Sequence, residues 1–306
     1  MNTKDACVIL ETLMDRINPI TGELLPEDHV CQEPVRRLSG SEEKGAQKMK
    51  VVTFNIRGDF GVDGENDFRF RKPLIEKKLR AEQPDLIGFQ EVMPHMAAWL
   101  REILPGYTVV GCGRGEIRAG VQTLGGEQMT VAFRTDRYNL IEMRTFWLSP
   151  EPWVPGSRYA VQSPCPRTAT ELLLMEYATG KVIRVLNTHL DHEGAPARML
   201  GLRQVLTHLA SAVLFPEAPV ILMGDFNAEP DSPEMQVFAE YPDYANATAG
   251  IGATFHAFGR AEAVHAIDYI FLKGGIRCAS VTKWTDQEQG VYLSDHYPVC
   301  AEVQLH

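Results

Sequence analysis

Val220-Ile221-Leu222-Met223-Gly224-Asp225-Phe226-Asn227 is an apolar run broken by a glycine and closed by an acid and an amide. Such a run fits a buried β-strand that ends at a sheet rim. The same design recurs upstream. Val51-Val52-Thr53-Phe54 delivers Asn55, Leu86-Ile87-Gly88-Phe89-Gln90 delivers Glu91, and Val185-Leu186-Asn187-Thr188 delivers His189. Downstream, Ala266-Ile267 brings Asp268, and Ser294 precedes Asp295-His296. Strands ending this way gather polar side chains at one rim.

The surrounding sequence supplies a frame for these strands. Further β-rich runs are expected at Thr130–Phe133, Glu171–Glu176, Val182–Leu186, Ala266–Leu272 and Val299–Val303. Leu74, Ile75 and Leu79 predict a helix that stops before Pro84. Leu202, Val205, Leu206, Leu209 and Val213 form one stripe, which predicts a second helix over about Ala195 to Val213. Strand-rich stretches with a few helices, over some 250 residues, suggest two packed sheets with helices outside.

Residues 1–48 differ from the rest: apolar positions at helical spacing (Cys7, Leu10, Leu13, Met14, Ile17) give way to turn chemistry and then to the polar tract Ser39–Lys48. They read as a helical extension and linker, with a catalytic domain from Met49 to His306. Too small to bury a core alone, this extension is expected to dock on the main domain, mediate self-association or bind a partner.

Composition narrows the function classes. With 306 residues, 44% of them hydrophobic and 23% charged, the chain is globular in character. No run approaches the roughly 18 apolar residues of a membrane helix, and no secretory leader pattern opens the sequence. The expected location is therefore cytoplasmic, away from membranes. Six scattered cysteines without a Cys-x-x-Cys pair suit a reduced compartment and argue against a sulfur-ligated zinc site. A formal charge of −10 disfavours a protein that coats nucleic acid electrostatically, though a nuclease stays open, because a bound cation changes the local field.

Singly, each rim residue has an ordinary explanation. A carboxylate after a strand can be solvated, Gly-Asp-Phe-Asn can be a turn, and a lone histidine is commonly structural. Asp268 resists this, since a carboxylate between Ile267 and Tyr269 in a buried strand needs a histidine or metal partner. The chemistry also coheres. Mg²⁺ or Mn²⁺ prefers carboxylate and amide oxygens, which Glu91 and Asn55 offer, leaving the histidines for acid, base or phosphate contacts.

Six motifs carry a resemblance: Thr53-Phe54-Asn55, Gln90-Glu91-Val92, Asn187-Thr188-His189-Leu190, Gly224-Asp225-Phe226-Asn227, Ile267-Asp268-Tyr269-Ile270 and Ser294-Asp295-His296-Tyr297-Pro298-Val299. In this order they resemble the motif series of the endonuclease/exonuclease/phosphatase superfamily, over about residues 50–306. The resemblance implies an α+β, four-layer α/β/β/α sandwich like that of pancreatic-type deoxyribonuclease, and a Mg²⁺- or Mn²⁺-dependent hydrolase of phosphate esters. It implies Glu91 as main metal ligand with Asn55 and Asp295 near the metal, and Asp225 and Asn227 at the attacking water. His189 would contact phosphate or assist the leaving group, and Asp268 would orient His296 against a phosphate oxygen. The general base is left open by the resemblance; Asp225 is the preferred candidate, with His296 stabilising the developing charge.

Phe54-Asn55-Ile56-Arg57, Phe146-Trp147-Leu148-Ser149 and Thr254-Phe255-His256 are similar to a bacterial branch of that superfamily. The branch tends to carry tryptophans after Phe-Trp-Leu-Ser and beside an Arg-x-x-Thr element. Here Arg167-Thr168-Ala169-Thr170 has none nearby, so a different substrate pocket is expected. Arg114 and Arg167 are candidate substrate contacts, each with a surface alternative. Trp147, Trp153, Tyr159 and Phe255 offer either a stacking wall or core packing. The expected partner is a phosphorylated molecule: a polynucleotide would require a basic, aromatic-lined groove, a small molecule or nucleotide a closed pocket beside the metal. The competing reading is a non-catalytic binding or scaffold protein that kept the fold.

Overall fold

A computed structural model of the chain describes residues 48–118, 121–123, 125–260 and 265–305. The expected N-terminal extension lies outside these residues apart from Lys48, which opens the first strand. In chain order the elements are β1 (Lys48–Asn55), α1 (Phe68–Glu82), β2 (Leu86–Val92), α2 (Pro94–Ile103), β3 (Tyr107–Val110), β4 (Glu116–Arg118), β5 (Val121–Thr123), β6 (Gln128–Arg134), β7 (Tyr138–Trp147), β8 (Thr168–Glu176), β9 (Val182–His189), α3 (Ala195–Ala210), β10 (Val220–Asp225), β11 (Ala245–Asn246), β12 (Asp268–Lys273), β13 (Ile276–Lys283), β14 (Gln287–Glu288), β15 (Val291–Tyr292) and β16 (Val299–Leu305). Two six-stranded sheets run β13-β16-β1-β2-β6-β3 and β11-β12-β10-β9-β8-β7; β4 with β5 and β14 with β15 form separate two-stranded ribbons.

Period-two alternation stacks these sheets. Val51, Leu86, Val131, Val185, Ile221, Met223 and Ile270 meet in the apolar seam between them. The intervening Val52, Phe54, Ile87 and Phe89 point the other way, onto Leu74, Ile75 and Leu79 of α1 and Met96 and Leu100 of α2. On the far side Leu186, Leu222 and Phe226 pack against Leu202, Val205, Leu206 and Leu209 of α3. Each such side chain contributes about 1.5–3 kcal/mol on full burial, and three seams enforce the α/β/β/α sandwich expected from the sequence. No helix among the described residues is long and apolar enough to cross a membrane.

Helix ends follow local chemistry. α1 stops at Gln83, whose left-handed backbone (φ 44°) sends its N–H to the Leu79 carbonyl, one residue before Pro84. The stripe of apolar residues predicts α3 out to Val213, but the helix ends at Ala210 and Val213 is 93% exposed. Pro216 disfavours helical geometry at Phe215, which takes φ 49°, so the chain turns away before Val213 can join the buried face.

Each sheet has a parallel pair at its centre, β1 with β2 and β9 with β10, so these four strands end at one rim. Antiparallel β12 starts there, with Asp225 in register with Asp268 on one side and His189 on the other. This close register depends on Gly224 (φ 150°), where an added Cβ would lie 1.9 Å from the Thr188 carbonyl oxygen. Gly224→Ala should therefore destabilise the fold by at least about 2 kcal/mol, since the obstacle is backbone and the φ is wrong for alanine. Urea unfolding gives the check; an unchanged midpoint contradicts this account.

Candidate active site

Alternation explains which rim residues turn inward. Asn55, His189, Asp225 and Asp268 share parity with Val51, Val185, Met223 and Ile270, the residues of the inter-sheet seam. Beneath them a polar layer ties the sheets together: Gln90 donates to Asn187 Oδ1 (2.7 Å), and Asn187 donates to the carbonyls of Phe89 (2.8 Å) and Thr130 (3.1 Å). Glu91 breaks the rule. Its parity is that of Phe89, which faces outward, yet a register irregularity between Phe89 and Val92 and a positive φ of 61° redirect it. A left-handed non-glycine residue costs about 1–2 kcal/mol and is retained where the side chain's aim matters. Here the carboxylate accepts from Asn55 Nδ2 (3.0 Å) and from the Gly58 N–H (2.9 Å).

Asp225 is the hub of the cup. Its Oδ2 lies 3.0 Å from Asn55 Nδ2, 3.4 Å from His189 Nε2 and 3.7 Å from His296 Nε2. Its Oδ1 accepts from the Asn227 N–H at 2.9 Å. His296 is held from behind, Nδ1 to Asp268 Oδ2 at 2.8 Å, and Asp268 is fixed by Thr254 Oγ1, which accepts the N–H groups of Ile267 and Asp268 (3.1 and 3.2 Å). Asp295 stands beside its neighbour His296, with Ser294 Oγ donating to Oδ1 (3.1 Å) and Arg57 Nε 3.7 Å from Oδ2. Residues from both sheets thus meet in one oxygen-rich cluster.

The profile of the Endonuclease/Exonuclease/phosphatase family matches residues 52–296, the span that holds this whole constellation. The chain belongs to that family. Endonuclease/Exonuclease/phosphatase proteins are divalent-metal-dependent phosphoester hydrolases. Among curated protein sequences none matches. An endonuclease/exonuclease/phosphatase from Bacteroides vulgatus has a similar structure, with TM-score 0.77, 30% identity, and coverage of 85% of this chain and 100% of that one. A mannosyl-6-phosphatase of Bacteroides thetaiotaomicron gives TM-score 0.75 at 25% identity, covering 83% and 99%. D. rerio TDP2, complexed with single strand DNA product, gives TM-score 0.65 over 84% and 99%; at 17% identity that likeness concerns the fold alone.

Electrostatics separate the roles available to these groups. Burial pushes the Asp225 carboxyl up to about 7 against the opposing charge of His296. Burial lowers His296, but Asp268 and Asp225 outweigh it and raise the imidazole to about 10, so it is a cation. His189 is pushed down by burial and by the charges of Arg167 and Arg114, which leaves it neutral. For Glu91 burial acts upward, and the Gly58 and Asn55 donors with the His296 charge more than reverse it. Asp295 is raised by burial and, against His296, by the charge of Glu91.

Two donor sets bear on a divalent cation. Asp225, Asp268 and His296 offer ligand atoms within 4.8 Å of one another. That set suits a cation poorly, because His296 Nδ1 is occupied by Asp268 and the ring is charged. Glu91, whose charge helps raise Asp295, stands 3.0 Å from the Asn55 amide nitrogen. The two carboxylates are hard oxygen donors of the kind a divalent ion takes, while the Asn55 Oδ1 accepts the Arg57 N–H at 3.0 Å; Glu91 and Asp295 are thus candidates to hold the family's metal.

The remaining expected residues lie at the margins. Asn227 (φ 49°) donates its side-chain amide to the Leu190 carbonyl at 3.1 Å, beside Asp225. Arg114 pairs with Glu127 at 2.6 Å; buried Arg167 contacts His192 Nδ1 at 2.9 Å and Asp191 at 3.8 Å. Of the aromatic candidates Phe255 meets the His296 ring, edge-on with centroids 5.0 Å apart. Trp147 is buried with its indole N–H on the Arg114 carbonyl, and Trp153 packs on Phe146. Four groups escaped the sequence reading as site components: Arg57, the Gly58 amide, Thr254 and Ser294. Arg57 follows Asn55 within a quoted motif, which was its available signal; a backbone amide has none.

Proposed function

We propose that the chain is a Mg²⁺- or Mn²⁺-dependent hydrolase of phosphate esters of small molecules, acting by in-line attack of an activated water. The observation that carries this reading is the convergence of Glu91, Asp225 and His296, distant in sequence, around Asn55 Nδ2, which lies 3.0, 3.0 and 3.5 Å from them. Glu91 and Asp295, with Asn55, would hold the cation, which would polarise the phosphoryl group and offset its charge. Asp225, fixed by the Asn227 backbone N–H, orients the water and takes its proton as the water oxygen bonds to phosphorus and the ester P–O bond breaks. His296, aimed by Asp268, donates to a phosphoryl oxygen. Neutral His189 assists the leaving oxygen.

A small substrate is favoured over a polynucleotide by the neighbouring cleft of about 520 Å³, inside the range of small-ligand sites, and by the net charge of −10. The likeness to a mannosyl-6-phosphatase supports trying phosphomonoesters first. The scaffold reading gains no support from the geometry, since a binding protein has no use for a left-handed Glu91 aimed at the cup. The test is a panel of purified full chain with Mg²⁺, Mn²⁺ or chelator against aryl phosphate, aryl phosphodiester, hexose phosphate and plasmid DNA. Metal-restored release of phosphate or alcohol from a small ester is expected. Activity undiminished by chelator, or confined to DNA, contradicts the proposal.

A further inference from the structure

The cleft beside the cup is lined by Phe60, Met93, Arg114, Glu127, Arg158 and Cys165, among others. It adjoins the cup through the chain itself: Met93 follows Glu91 by two residues, and Phe60 follows Gly58, whose amide binds Glu91. Its polar equipment is specific. Arg114 Nη2 donates to Glu127 Oε1 at 2.6 Å, with side-chain exposures of only 15% and 8%. The backbone locks the pair in place, since the Arg114 N–H donates to the Glu127 carbonyl (2.8 Å) and the Arg114 carbonyl accepts from the Trp147 indole (2.6 Å). Burying such a pair has a desolvation cost that apolar residues of similar volume would avoid.

The two charges of the pair suit some leaving groups better than others. A second phosphate, as in a nucleoside diphosphate, would meet Arg114 and Arg158 but would bring its charge against the Glu127 carboxylate that Arg114 already pairs. A plain alkyl chain would cover both charged groups without matching either. Vicinal hydroxyls match them together, one donating to the carboxylate and its neighbour accepting from the guanidinium fork. Phe60, over which the Arg57 guanidinium sits at 5.0 Å, adds an apolar face for ring C–H groups.

We infer that this cleft is a leaving-group subsite for a sugar or polyol, read through vicinal hydroxyls by Arg114 and Glu127. The inference rests on the phosphohydrolase reading above and deepens it. The test compares kcat/KM for hexose 6-phosphate and butyl phosphate, with saturating Mg²⁺ or Mn²⁺, in the full chain and in Glu127→Gln and Arg114→Met. Wild type should favour the hexose ester by about 10²-fold or more, and each variant should reduce that ratio by about tenfold or more, mainly through KM. Equal use of both esters by wild type, or ratios unmoved by both substitutions, overturns the subsite. Equal use of the two esters by wild type overturns the subsite even if a variant fails to fold. Hydrolysis of neither ester, nor of an aryl phosphate, by the folded chain overturns the phosphohydrolase reading itself.

Discussion

Asp225→Asn should lower turnover of a phosphate ester by about 10²–10⁴-fold, the scale of a positioned proton acceptor, with the chain still folded. The substitution keeps the shape of the side chain and an oxygen able to accept the Asn227 N–H, now at 2.9 Å. It removes the negative charge that faces His296 Nε2 at 3.7 Å and the acceptor that faces His189 Nε2 at 3.4 Å. One change thus takes away the base and part of the charge that keeps His296 protonated, so the two residues act as a unit. His296→Ala should cost a similar factor, and the double variant should be little slower than the worse single one. Steady-state kinetics at saturating metal measure all three. Strict additivity, or an Asp225→Asn rate within about fivefold of wild type, would remove Asp225 from the centre of the mechanism.

What the sequence disclosed was the part governed by short-range rules. Period-two alternation is a local property, so the strand ending in Gly224-Asp225 and its counterparts ending in Asn55 and His189 are visible without coordinates, and their parity with the seam fixes the inward aim. Glu91 was legible as a residue but not in its geometry: alternation alone sends it outward with Phe89, and only the irregular register against β6 with φ 61° brings it back. The end of α3 was overrun because an apolar stripe says where a helix would bury a side chain, whereas Pro216 decides whether it continues. The Arg114–Glu127 pair joins residues on the two sides of the β4–β5 ribbon, and nothing in either flanking glycine-rich stretch announces it. Arg57 bridges Asp63, through 3.1 and 3.0 Å contacts, and Asp295 at 3.7 Å, a link that closes only when the first and last rim segments meet in the fold.

Arg71→Leu should destabilise the protein by about 3–5 kcal/mol, the largest stability effect expected of one substitution near the site. By pattern Arg71 is a charged residue on a helix and belongs in water. In the structure it is fully buried, and its guanidinium donates to the carbonyls of Asn66 (2.8 Å), Ile56 (2.5 Å), Arg57 (2.8 Å) and Leu293 (3.1 Å). Burial pulls its pKa down to about 10, with Asp295 and Asp63 opposing, so it stays charged at neutral pH. Those carbonyls belong to the segment after Asn55 and the segment before Asp295, which puts the planar fork between the two ends of the proposed metal set. Leucine fills much of the space but leaves several buried carbonyls without donors, each worth about 1–3 kcal/mol before relaxation. Lysine restores the charge but cannot span acceptors set around a plane, so Arg71→Lys should recover only part of the loss. Urea denaturation of the three chains tests the ordering. If arginine, lysine and leucine at this position unfold at one midpoint, the staple has no energetic weight, and the loops that carry Asn55 and Asp295 must be held together by something else.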